Sequence, residues 1–336
     1  MAVVSVAVGV IAVPVFGLGF VDSLLTILFI NMLAIVPVCF FSSLGPRFGL
    51  RQIVLSRYYF GYYGVKLIAI LSIISCEGWS VINVIAGGQL IHAVNHNVPG
   101  DVACVILAAC TFLITFFGYK MVHFVGSWAW IPCFIVSLIV LGEFAHSGKF
   151  INLPMRTGEA EAGSILGFAA SVFGFATAWS SFAADYTVYQ PVNVSRAKVF
   201  WWTYAGLILP LCFTEMLGLA IATATMDPID TSFSDAYKEG KLGGLLEEVL
   251  VPPLGRFGQF CLVILALSIV AGNCPNTYSL AFCLQSLTHH AESIPRFVLT
   301  FISTAVYTAI AIPAYSHFET VLQNLLLLIV SPLSTY

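Results

Sequence analysis

The segment GSILGFAASVFGFATAWSSFAADY, residues 163–186, decides how the chain is read. It is long and apolar enough to cross a bilayer, which takes about 20 residues as a helix. Yet Gly163, Gly167 and Gly174 punctuate it, and Ala176, Thr177, Ala178, Ser180 and Ser181 surround Trp179. Two readings fit. Small residues let neighbouring helices pack closely, or the helix breaks here and turns backbone groups toward a bound solute. A second punctuated run opens the chain, with Gly9, Pro14, Gly17 and Gly19.

Outward from these two runs, ten apolar stretches predict membrane-spanning helices at about 1–18, 21–41, 66–92, 102–118, 122–142, 163–187, 200–224, 256–284, 296–314 and 318–336. Of the 336 residues, 59% are hydrophobic and 9% charged, where a soluble domain carries about 25% charged residues. That composition argues against a soluble enzyme, a disordered chain and a nucleic-acid binder. A net charge of −3 leaves no basic footprint for nucleic acid. Continuous rather than alternating apolar runs exclude a β-barrel, and lipid leaves helices as the other way to satisfy the backbone. The fold class is therefore all-α and polytopic.

The two punctuated runs are the first and sixth of ten, so each heads a group of five. Interrupted spans at corresponding places in two halves indicate an inverted-repeat transporter with its site at the break. Spans three and eight also correspond. Span three carries Asn83, and span eight carries Asn273 and Asn276 in AGNCPNTYS, residues 271–279. Pro275 frees a carbonyl four residues back, which predicts a local opening there.

Lys and Arg set the orientation. Arg47, Arg51, Arg57, Lys66, Lys120, Arg196, Lys198 and Arg296 lie at one end, against Lys149, Arg156, Lys238, Lys241 and Arg256 at the other, where acids are interleaved. The first end is read as cytoplasmic, so the sequon Asn193-Val194-Ser195 is expected to stay unglycosylated. The longest polar stretch, 226–256, is expected to be an exterior loop. The nine Cys fall in or beside apolar stretches without a CxxC pair, and the seven His map to span ends or loops. Neither metal nor cofactor is expected. HExxH and GxSxG are absent as well, which weighs against an intramembrane enzyme.

In SCEGWSVIN, residues 75–83, Trp79 and Asn83 stand one helical turn apart on one face. Trp179 lies in the broken part of span six. Indoles stack on flat heteroaromatic rings and amides pair with their edges; interhelical packing and Asn hydrogen bonding account for the same residues equally well. Three acids lie within spans or near the suspected site: Glu77, Asp185 and Glu215. Intramembrane carboxylates are costly and suggest function. Asp185, near a span end, reads as an anchor. Glu77 and Glu215 are candidates for proton coupling or for buried interhelical bonds.

GPRFGLR (45–51), LSRYYFG (55–61), GWSVIN (78–83), QLIH (89–92) and AADYTVYQP (183–191) together resemble the fungal purine–cytosine permeases of the nucleobase–cation symporter-1 family. The resemblance covers nearly the whole chain. It implies a LeuT-type fold of five-plus-five inverted repeats in a single domain, 1–336, with repeats at about 1–142 and 163–336. It also implies proton-coupled import of cytosine, adenine, guanine and hypoxanthine across the plasma membrane. Carried over by motif, Trp79 and Trp179 look like a stacking pair, Asn83 and Asn276 like edge readers, and Ser5 like a polar contact from the first helix. Glu77 stands where the family admits apolar residues, so no universal proton site is carried onto it. Sodium is the rival ion, with Thr277 and Ser279 available. Alternative readings are a related transporter for uracil, allantoin or pyridoxine, or a truncated membrane protein that does not transport. The family has a cytoplasmic segment before its first helix and twelve spans, and residues 329–336 depart from its tenth helix; the chain is thus expected to be part of a longer one.

Overall fold

The computed structural model describes residues 3–155 and 157–333, without the side chains of His289 and of 327–333. Residues 1–2 and 334–336, which bound the first and tenth expected spans, and Arg156 of the charge pattern lie outside the described residues. The described elements are helical: α1 Val4–Val10, α2 Phe20–Ser42, α3 Gly45–Phe48, α4 Gln52–Val94, α5 Gly100–Phe116, α6 Tyr119–Ser147 and α7 Glu159–Thr177. A 3-10 turn, Ala178–Phe182, separates α7 from α8, Ala183–Thr187. Then come α9 Arg196–Thr223, α10 Ser232–Leu254, α11 Arg256–Leu287, α12 His289–Glu292, α13 Arg296–Ala314 and α14 Phe318–Leu333.

Among the described residues, seven helical stretches are long and apolar enough to cross a membrane, and Gly100–Phe116 is a shorter apolar one. Arg296–Leu326 counts as one such stretch, which the 3-10 turn Tyr315–His317 divides into α13 and α14. The first expected span, 1–18, is shorter than predicted. Its helix ends at Val10, and residues 11–16 continue as turns. Pro14 has no amide hydrogen for a helical bond, and Gly17 takes φ +65°, a conformation that glycine reaches without steric cost. The sixth span breaks where its small residues predicted, at the 3-10 turn that carries Trp179.

The stretch 226–256, expected to be an exterior loop, is largely helical, with a break at Lys241 (φ +52°). Leu242, Leu245, Leu246, Val249 and Leu250 recur at helical spacing and are buried, so α10 folds its apolar stripe onto α4 and α11. Gly243 presses on the α4 backbone at Gln89, where a Cβ would collide with the Gln89 carbonyl. Beside it, Lys149 and Asp230 form an ion pair between the end of α6 and the start of α10. Hydrogen bonds from Lys149 and Ser232 hold the Asp230 carboxyl down to about 2.

Packing follows an exchange pattern between the two groups of five. The first helix lies on the seventh, α1 on α9, and the second on both the sixth and the seventh, α2 on α7 and on α9. The third and eighth, α4 and α11, share the most extensive interface, and the fourth packs on the ninth, α5 on α13. At the α1–α9 crossing two glycines allow backbone-to-backbone approach. A Cβ on Gly9 would strike the Glu215 carbonyl, and one on Gly218 the Val6 carbonyl.

Candidate functional site

Trp79 and Asn83 occupy the buried face of α4, near the middle of the bundle. The Trp79 ring meets the edge of Phe175 on α7, with centroids 5.1 Å apart at 69°. Its Nε1 is buried without a hydrogen-bond partner. A buried indole N–H left unpaired is costly, so the position suits a partner outside the protein. Asn83 Nδ2 donates to the Trp79 carbonyl at 2.7 Å, leaving its second amide hydrogen and its carbonyl oxygen available.

Trp179 is half-buried on the 3-10 turn, edge-on to Phe182 at 5.2 Å. Phe175 and Trp179 come from one segment, yet Phe175 faces Trp79 while Trp179 borders a cavity of about 360 Å³ between α6, the turn and α11. Tyr186, Gly272 and Pro275 also line that cavity, whereas Trp79 and Asn83 are not among its walls. Phe175 was not singled out in the sequence; its spacing of four from Trp179 was the available signal.

On α11, Asn276 Nδ2 donates to Asn273 Oδ1 at 3.4 Å, and Asn273 Nδ2 is buried without a partner. The opening expected at Pro275 is absent: α11 runs as one helix from Arg256 to Leu287. Ala271, whose carbonyl the ring frees, lies at the cavity wall. Thr277 Oγ1 donates to the Asn273 carbonyl at 3.3 Å. Thr277 lies by Tyr307 of α13, whereas Ser279 lies by Asp185 of α8. The two hydroxyls therefore face different neighbours.

Ser5 Oγ is 2.6 Å from Thr214 Oγ1, which ties α1 to α9. Glu77 is half-buried, and its Oε2 has no partner; the Ser303 hydroxyl of α13 lies beside it without completing a bond of good geometry. Glu215 is fully buried, and its Oε2 accepts from Asn31 Nδ2 of α2 at 2.6 Å while Oε1 has no partner. Asn31, a lone amide in an apolar run, was not singled out in the sequence. Asp185 Oδ1 accepts from the Gln52 backbone N–H at 2.8 Å. Next to it, Arg51 Nη2 donates to Tyr189 at 2.7 Å and to Tyr278 at 3.2 Å. This cluster binds the start of α4 to the end of the sixth span and to α11.

The structure thus brings Trp79, Asn83 and Phe175 into one group, Asn273 and Asn276 into a second on α11, and Trp179 to the cavity beside Pro275. Residues 1–329 match the family described as permease for cytosine/purines, uracil, thiamine, allantoin. A purine-cytosine permease of Emericella nidulans is 55% identical over 336 residues, which are 100% of this chain and 66% of that protein. A purine-cytosine permease of Saccharomyces cerevisiae is 40% identical over 329 residues, covering 96% of this chain and 61% of that protein. The chain therefore spans under two thirds of the length of these relatives. Among solved structures, a nucleobase-cation-symport-1 family transporter, closed with bromovinylhydantoin bound, superposes with a TM-score of 0.72 at 14% identity. That match covers 96% of this chain and 71% of that one, and it identifies the fold as the LeuT-type arrangement of five plus five helices. By the family match over 329 residues and by helical architecture, the chain is a multi-pass membrane protein that belongs to the cytosine/purine permease family of nucleobase–cation symporters, a family of transporters and not of enzymes.

Proposed function

We propose that the protein imports cytosine and the purines adenine, guanine and hypoxanthine across the plasma membrane by proton symport with alternating access. The observation that carries this reading is Trp79, a buried indole with an unpaired N–H beside an amide with unspent hydrogen-bonding capacity. A flat base offers a face to the Trp79 indole and a donor–acceptor edge to Asn83, and Trp179 and Asn276, which stand apart from them in this structure, would close on it during alternating access. Ser5, tied to Thr214 at the α1–α9 crossing, supplies the polar contact from the first helix. The named activity of the two fungal relatives points the same way.

The basic end of the bundle is assigned to the cytoplasm by the excess of Lys and Arg there. The two repeats are taken as about 1–142 and 163–336, in keeping with the exchanged packing of α1 on α9 and α2 on α7. A proton is favoured over sodium, since Thr277 and Ser279 are turned to different neighbours, while two intramembrane carboxylates, Glu77 and Glu215, each keep an oxygen unpaired.

Uptake of labelled cytosine by the full chain, in cells without other nucleobase uptake, tests the substrate class. Excess adenine, guanine and hypoxanthine should each suppress the signal, and uracil, allantoin and pyridoxine should leave it. Suppression by one of the latter three and not by the purines would reassign the substrate.

A further inference from the structure

At the basic end, a cavity of about 390 Å³ opens between the start of α4 and the end of α11. Its walls include Arg51, Arg57, Gln285, Ser286, Thr288 and Glu292. Two guanidiniums and one carboxylate are in the walls, and Asp185 stands behind Arg51. Among the described residues, the ion pairs involve neither arginine. Arg51 stacks over Phe282 at 3.8 Å, and its Nη1 is buried without a hydrogen-bond partner. Two neutral groups add donors. Thr288 Oγ1 accepts from the Ala291 N–H at 3.1 Å, so its hydroxyl hydrogen remains to be given. Gln285 Nε2 donates to the Ile294 carbonyl at 3.0 Å and has a second hydrogen.

The rim has the composition of a bilayer interface. Tyr58, Tyr59 and Tyr63 are 76%, 66% and 82% exposed. Tyr62 lies between Arg57, 5.4 Å from its ring centre, and Lys66, 4.7 Å away. Tyrosines concentrate at headgroup level, where one end of the side chain is apolar and the other wet. Gly61, at φ +70°, sets the bend that carries these rings out of the line of the membrane-spanning part of α4.

We infer that this cavity binds a phosphomonoester, held by the forked guanidinium of Arg57 with Thr288 and Gln285 as neutral donors and Arg51 as a charge in the wall. A guanidinium matches phosphate oxygens in geometry as well as charge. The exposed tyrosines favour a phosphorylated lipid headgroup of the cytoplasmic leaflet as the source, and that choice of leaflet rests on the orientation proposed above. A ligand here would also touch Arg51, which ties α4 to Tyr189 and Tyr278, and so would bear on the closure of this end of the bundle.

Binding to the purified full chain can be read with dioctanoyl phosphatidylinositol 4-phosphate, and with inositol 1,4-bisphosphate as the same phosphate without acyl chains. The lipid should bind at physiological salt, and Arg57→Gln should weaken it by about tenfold, the effect of one lost charge-assisted bond. Arg57→Lys should recover part of that loss. Lys198→Gln, an exposed basic residue outside the cavity, should bind as the wild type does. Arg57-dependent binding of both probes would assign the site to the phosphate itself, and of the lipid alone to the headgroup at the interface. No binding of either probe, equal binding by Arg57→Gln, or an equal loss in Lys198→Gln would overturn the site.

Discussion

A tryptophan ring nitrogen without a partner inside a membrane protein is costly, and Trp79 keeps one while its ring leans on Phe175. Stacking of a base on an aromatic ring is worth about 1–3 kcal/mol. Trp79→Ala should therefore weaken cytosine and adenine binding roughly 5- to 150-fold while the protein still reaches the cell surface. Unchanged affinity in the surface-localised variant would reduce Trp79 to a packing residue. Asn276 makes a different contribution. Its one described side-chain bond, to Asn273, is long at 3.4 Å, so a ligand edge competes well for it. An amide matched to one edge is left unpaired by a base lacking that edge. Asn276→Ser should then reorder cytosine, hypoxanthine and guanine in the competition assay, and an equal loss for all three would argue against edge reading.

At the scale of elements, the short α1 depends on its crossing with α9. Gly9 meets a backbone carbonyl rather than a flexible side chain, so an added methyl group can be accommodated only by moving one helix. Overpacking of this kind costs about 1–3 kcal/mol. Gly9→Ala should lower the thermal midpoint of the purified protein, whereas Gly126→Ala, where a Cβ meets nothing within 4 Å, should not. Equal midpoints for the two variants would mean that the α1–α9 contact is looser than its geometry indicates. The same shift would reach the site region, because Ser5 and Thr214 bridge this crossing.

For the whole molecule, coupling requires that a proton and a base be sensed by one moving unit. Glu77 is on α4, the helix that carries Trp79 and Asn83, and it faces Ser303 of α13. A carboxyl that is neutral in one state of the cycle and charged in the other can link the two. Uptake by the full chain should rise as external pH falls, collapse with a protonophore and ignore sodium. Glu77→Gln should flatten the pH dependence and still permit base binding. Uptake that needs sodium and is flat in pH would overturn the proton assignment; retained pH dependence in Glu77→Gln would transfer the role to another carboxyl, with Glu215 next.

The all-helical class, the places of the spans and the break around Trp179 were legible in the amino-acid sequence, because hydrocarbon forces each apolar run to satisfy its own backbone and small residues mark where it does not. The facing of Trp79 and Asn83 was legible for the same local reason, a spacing of four on a helix. Other features were decided only by tertiary packing. The helical course of α10 depends on α4 and α11 receiving its apolar stripe. Pro275 left α11 continuous where an opening was expected. The pairing of Glu215 with Asn31 joins residues 184 positions apart, and that of Ser5 with Thr214 joins residues 209 apart. Periodicity reports which face of a helix is apolar; it carries no information about which distant helix that face meets, and that choice determined the partners of the buried acids and of Trp79.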